Sequence, residues 1–292
     1  LAFQTEPVGG FGQSVSSVNA NGNQSRNNGS GDIGWQGIGR ISGRPWMIDE
    51  TKFWHFGVSA GHTTVNNQYR ADGTFSQANA TAGQNSGGMS FVGFLGTNVD
   101  RTNVLNTGNL TSGSNDSPDA RRIDSYDRYG AETALVYGPF SAQAEYLRTN
   151  INGLNYSGEH LTGYYGYLSY FLTGESRAYH VRNGAWNRIV PNKSFHWNGT
   201  GLGAWEFAVG YDYLNMNNGK IRGGEADMIR FALNWYPHTH VRVMTNVNHV
   251  LNLNTAGVVN YNAAGEPIAN DRSQGFHDAN ITSFLTRVQV DF

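Results

Sequence analysis

The strongest constraint on this chain is the period-two alternation of RYGAETALVYGPFSAQAEYL, Arg128 to Leu147. Successive side chains of a strand point to opposite faces. Tyr129, Ala131, Leu135 and Tyr137 therefore share one face, while Arg128, Glu132 and Ala134 share the other. A turn at Gly138-Pro139 reverses the chain. Phe140, Ala142, Ala144 and Tyr146 then continue the apolar face, and Ser141, Gln143 and Glu145 the wet one. Tyr129 and Tyr137 lie ~26 Å apart at ~3.3 Å per residue, close to the ~25 Å apolar band of a membrane-spanning strand. The two tyrosines are placed to mark its two interfaces.

The same alternation recurs along the chain and predicts nine strands, over 32–45, 53–65, 125–137, 140–151, 161–172, 203–214, 227–236, 239–251 and 281–292. Trp54, Phe56 and Val58 alternate with His55, Gly57 and Ser59, and Tyr164, Leu168 and Tyr170 share one face of their strand. Trp205, Phe207, Val209, Tyr211 and Tyr213 oppose Glu206 and Asp212. Ile229, Phe231, Leu233 and Trp235 oppose Arg230 and Asn234. Val241, Val243 and Val247 oppose Arg242, Asn246 and Asn248, and in the final strand Phe284, Val288, Val290 and Phe292 oppose Arg287, Gln289 and Asp291. Arg40 and Arg44 share a polar face with Gln36 and Ser42. Connections alternate between short turns near 46–52, 138–139 and 237–238 and long loops near 66–124, 215–226 and 252–280. Asn66 to Ile123 reads as a large external loop with one local hairpin, and Glu175 to Gly201 as a long turn. Nine is odd where single-chain bacterial barrels use an even number. Either Leu1 to Val8 supplies a tenth strand or earlier strands precede the chain.

Mean hydropathy is −0.48, and no stretch approaches the ~18 consecutive apolar residues of a membrane helix. A helical membrane protein is excluded. A barrel strand needs an apolar residue only at alternate positions, so low hydropathy is compatible with a membrane. The net charge of −2 gives no reason to expect a nucleic-acid partner, and the absence of cysteine removes disulfides and thiolate metal sites. His238 and His240 flank a turn without further ligands, so no metal and no cofactor is expected. No Ser, His and Asp set stands out, and no enzyme is expected. The opening LAFQTEPVGG lacks the basic and apolar regions of a signal peptide, so the chain is expected to begin after processing or to be a fragment.

Several ordered blocks, RYGAETALVYGPFSAQAEYL, YGYLSYFLTGESRAY, GAWEFAVGYDYLNMNNG, ADMIRFALNWYPHTHVRVMTNVNHV and the terminal TRVQVDF, closely resemble the phosphate-selective porin O and P family of Gram-negative outer membranes. The resemblance covers roughly Asp32 to Phe292. It implies an all-β fold, a transmembrane antiparallel barrel of sixteen strands that assembles as a homotrimer, with anions passing an arginine- and lysine-lined lumen. Residues 1–292 are then a single outer-membrane barrel domain, about the C-terminal two-thirds of a complete one, lacking N-terminal strands and the loop that folds inward to narrow the pore. A terminal aromatic residue resembles the signature by which the assembly machinery recognises such barrels, which makes Phe292 the expected assembly signal.

The function expected is a passive diffusion channel of the outer membrane, anion-preferring, for phosphate or polyphosphate-type anions. Its partners would be small inorganic anions, outer-membrane lipid and lipopolysaccharide. A general, weakly selective porin is one alternative, and a structural or adhesive surface barrel with a plugged lumen is another. Arginine suits phosphate because its planar fork donates paired hydrogen bonds. The pore-lining candidates are Arg40, Arg44, Arg128, Arg230, Arg242 and Arg287, and the lumen acids are Glu132, Glu145, Glu206 and Asp212. Each arginine has a plainer alternative role, bracing the wall through those carboxylates or, for Arg128, sitting in a solvated rim.

Overall fold

The computed structural model describes residues 2–5, 35–64, 91–96, 104–108, 110, 121–255 and 278–291. Nine long strands carry the fold: β2 (Trp35–Asp49), β3 (Lys52–Thr64), β6 (Arg122–Tyr137), β7 (Phe140–Leu154), β8 (His160–Phe171), β11 (Ala204–Asn218), β12 (Ile221–His238), β13 (Val241–Asn254) and β14 (Thr282–Val290). A short β1 (Ala2–Thr5) pairs with β2 along Trp35 to Ile38. Together they form one ten-stranded antiparallel sheet in the order β1-β2-β3-β6-β7-β8-β11-β12-β13-β14. Among the described residues β1 pairs only with β2 and β14 only with β13, so the sheet is open. Phe292, the expected assembly signal, lies outside the described residues.

Register turns the local alternation into two surfaces. Trp46, Trp54, Leu135, Ala142, Leu168, Val209, Phe231, Val247 and Phe284 are successive Cα partners, one from each long strand. This row leaves Trp54, Leu168, Phe231 and Phe284 exposed. One residue along, on the opposite face, runs His55, Ala134, Gln143, Tyr167, Gly210, Arg230, Asn248 and Ser283. A sheet with an exposed apolar outer face and a polar inner one is what a lipid-embedded wall requires. Aromatics border the apolar band: Trp54, Tyr137, Tyr170 and Trp205 toward one rim, Tyr129, Tyr146, Tyr164 and Tyr213 toward the other.

The strands run further than the alternation alone indicates. β12 begins at Ile221, so the expected long loop over 215–226 is a tight turn, with Asn218 paired to Ile221 and Asn217 to Arg222. Polar Asn and Gly residues there still complete the backbone ladder beyond the apolar band, which satisfies their N–H and C=O groups.

Two connections depart from expectation by folding across the inner face. Within the segment between β3 and β6, β4 (Val92–Gly93) and β5 (Leu105–Asn106) form a two-stranded hairpin. Val104, Leu105 and Leu110 are buried against Tyr126, Ile151, Leu161, Met216, Ile221, Val250 and Leu253 of the long strands. The described part of this segment is thus an inserted layer and not an external loop. The second is the connection from β8 to β11, which holds the hairpin β9 (Tyr179–His180) and β10 (Ala185–Trp186). It leaves from the rim that otherwise carries the short turns at 50–51, 138–139 and 239–240.

Candidate functional site

The inner face places Glu132 directly opposite Glu145 on neighbouring strands, a like-charge pair that costs stability unless compensated. Arg40 resolves it. Its guanidinium ion-pairs with Glu132, the Nε donating at 2.9 Å. His55 Nε2 lies 3.0 Å from the same carboxylate oxygen, and Tyr179 Oη lies 2.7 Å from His55 Nδ1. A neutral Tyr179 hydroxyl donating to Nδ1 leaves the proton on Nε2, which then donates to Glu132. Gly57 underlies this group: the Glu132 carboxylate occupies the space that a Cβ would need. Glu145 is the cross-strand partner of Tyr165, whose hydroxyl accepts from Gln143 Nε2 at 2.8 Å.

The other predicted acids are also engaged. Asp212 ion-pairs with Arg230. Glu206 has no exposed surface; it is held by Arg177 and accepts hydrogen bonds from Asn234 Nδ2 at 3.1 Å and Tyr236 Oη at 2.8 Å. Both hydrogen bonds fall on Oε2, and Arg177 compensates the buried charge from the side of Oε1. Arg177 is not among the predicted residues, since Glu175 to Gly201 reads as a long turn. The available signal was local density: Arg177, Arg182 and Arg188 fall in one short stretch of a chain with few charges.

Among the described residues, the remaining predicted arginines, Arg44, Arg128, Arg242 and Arg287, make no ion pair with a carboxylate of the inner wall. Arg242 donates from Nε and Nη2 to Gln289 Oε1, at 3.1 and 2.7 Å. Arg128 lies 4.9 Å from the Tyr126 ring centroid and 5.9 Å from that of Phe91, at the edge of the inserted layer, and stays exposed. Arg44 sits 5.3 Å over Phe53 and 5.2 Å over Tyr179 and bonds Glu50, a turn residue, at 2.8 Å. The spacing of Arg40 and Arg44 along one strand therefore does not yield two equivalent cations. Arg287 makes no hydrogen bond or ion pair among the described residues, and Arg182 at the hairpin tip makes none either.

The β9–β10 hairpin is tied to the wall at several points. Arg40 donates to the backbone carbonyls of Asn183 and Gly184 at 3.2 and 2.9 Å. Trp186 Nε1 donates to Gln143 Oε1 at 2.6 Å and lies 3.0 Å from Tyr167 Oη. Ile189 packs with Phe171, Ala204 and Tyr236. At the opposite rim, the Tyr156 hydroxyl donates to Leu110 O at 2.8 Å, and burial pushes that hydroxyl up to about 12. His240 Nδ1 faces Asp291 O at 3.2 Å and Arg188 at 3.1 Å, so it is engaged at the turn.

An open-ended antiparallel wall, apolar outside and arginine-bearing inside, agrees with the sequence profile described as phosphate-selective porin O and P, which matches residues 39–259. The chain belongs to that family. The chain is 32% identical over 164 residues to an uncharacterized protein of Caulobacter vibrioides, covering 56% of this chain and 30% of that one. It is 32% identical over 127 residues to Porin O of Pseudomonas aeruginosa, covering 39% of this chain and 27% of Porin O. The matched stretch thus spans less than a third of either relative. The porin O and P match begins inside β2 and ends just past β13, so it contains both inserted segments.

Proposed function

We propose that this chain builds part of the wall of a passive diffusion channel of the Gram-negative outer membrane that prefers anions, phosphate or polyphosphate-type anions among them, in an assembly of three copies. One observation carries the reading. On the inner face, Glu132, Glu206 and Asp212 are each neutralised by an arginine, while Arg242, Arg287 and Arg182 have no carboxylate partner among the described residues. A near-neutral chain can thereby present a cationic wall to the lumen. Cations spaced along a wet wall replace part of an anion's hydration and release it again.

The test is ion permeation in planar bilayers. Stepwise conductance with anions more permeant than cations, and a chloride current lowered by phosphate, is the expected result. Replacing Arg242 and Arg287 with Gln should reduce the anion preference. Cation preference, or indifference to phosphate, would leave only a general porin. Both inserted segments lie over the inner face, which favours a second reading: a structural or adhesive barrel with a plugged lumen. Absence of any conductance from folded protein would support that one instead.

A further inference from the structure

The β8–β11 connection does not stay inside the wall. Its first limb holds Arg177, Tyr179 and Trp186 against the inner face, but its second limb, residues 193–202, crosses the rim. Phe195 N donates to Pro237 O at 2.8 Å, and Gly203 N donates to Lys193 O at 3.1 Å. On the outer side, Leu202 O accepts from both Trp205 Nε1 at 3.2 Å and Trp235 Nε1 at 2.9 Å. Trp205 and Trp235 stack at 5.6 Å; Phe195 meets Trp235 edge-on at 5.2 Å, and Trp197 meets Phe195 edge-on at 5.0 Å. Gly203 makes the crossing possible: its φ is +72°, and a Cβ there would come within 2.6 Å of Tyr236 O.

Four aromatics therefore run in line from the apolar outer face, beyond the ends of β11 and β12, to a Trp197 that is 95% exposed. Leu202, on the returning side of the same turn, is exposed too. Such a surface is unfavourable in water, whereas indole, with an apolar body and one N–H, is favoured where hydrocarbon meets headgroups. The turn's backbone suits that place. His196 N donates to Gly201 O, Gly199 N to His196 O, and Asn198 Oδ1 accepts from the Thr200 amide and hydroxyl. Residues 192–203 contain Lys193 and no carboxylate, a charge that complements phosphate headgroups.

We propose that residues 193–202 are a membrane-interface anchor: the turn lies against the phospholipid headgroups at the short-turn rim, with Trp197 inserted at the headgroup–acyl boundary. The connection then straddles the wall, its inner limb tied by Arg177 to Glu206 and its outer limb by lipid. The inference rests on the sheet being a membrane-embedded wall, and its test separates the two claims. Because the chain has no cysteine, Trp197→Cys, Leu168→Cys and Arg182→Cys each accept one fluorescent label. Thr200→Cys supplies a second reporter that retains Trp197. The labelled full chain is reconstituted in phosphatidylethanolamine–phosphatidylglycerol vesicles brominated either near the glycerol or near the methyl end of the acyl chains. Labels at 197 and 200 should lose most of their emission to shallow bromine and little to aqueous iodide. The label at 168 should respond to deep bromine, and that at 182 to iodide alone. If 168 responds to lipid but 197 and 200 respond to iodide like 182, the anchor is wrong and the wall stands. If 168 is not quenched by lipid, the wall itself is wrong. If 197 is shielded from both quenchers and Trp197→Cys forms a disulfide between copies, the surface is a subunit contact and the anchor is again wrong.

Discussion

Arg177 and Glu206 show how much of this wall depends on single compensations. Glu206 is fully buried, so removing its cation strands a charge, whereas removing both charges does not. Arg177→Met should lower stability by about 3–5 kcal/mol, and the double change Arg177→Met with Glu206→Gln should recover most of it. Urea midpoints in detergent micelles measure both; equal destabilisation by the two variants would contradict the pairing. Tyr156 gives a residue-scale prediction in pH. Its folded pKa is raised to about 12 by burial, above its unfolded value. Its contribution is therefore complete below the unfolded value and is lost as pH rises through about 12. Tyrosinate absorbance of Tyr156→Phe should lack one late-ionising tyrosine relative to the parent; loss of an early-ionising one would refute the burial.

The strands and their connections obey different rules. A strand's apolar face is set by its own alternation, and the register joins nine of them into one lipid-facing row. Leu168 sits mid-row between Ala142 and Val209. Leu168→Arg should cost about 2–4 kcal/mol of stability in bilayers, the penalty for a cation at the midplane. Asn246→Arg, on the inner face, should cost far less; similar losses at both positions would show that the faces are misassigned. Connections have no such internal code. The segment holding β4 and β5 carries Phe91, Val104, Leu105 and Leu110 among many Asn, Gly and Ser residues, which reads as loop composition. Its few apolar side chains become decisive only when Tyr126, Ile151, Met216 and Leu253 gather on one stretch of the inner face to receive them.

At the scale of the molecule, the inner wall has an electrostatic character that the net charge of −2 conceals. Glu132 and Asp212 pair with arginines of other strands and Glu206 with Arg177 of the β8–β11 connection. Among the described residues, Glu145 makes no ion pair, and Arg242, Arg287 and Arg182 remain without a carboxylate. If those cations set permeation, anion preference should be larger at ~0.1 M than at ~1 M KCl, because the screening length falls from ~10 Å to ~3 Å. Reversal potentials across matched salt gradients at the two strengths measure this. A preference that does not change with salt would place selectivity in geometry and not in charge.

What the sequence determined by itself is the class of surface each strand presents. Alternation is a property of neighbouring residues, so Trp54, Leu135, Val209 and Phe231 declare their face without a partner, as do Glu132, Glu206, Asp212 and Arg230. Which cation meets which acid was decided only in three dimensions. Arg40 reaches Glu132 from β2 to β6, and Glu206 is claimed by Arg177 from a connection with no periodicity to read. The paths of the two inserted segments, and the crossing of residues 193–202 to the outer face, were likewise decided there. They depend on apolar and aromatic groups from distant strands converging on one place, and separation along the chain carries no record of that convergence.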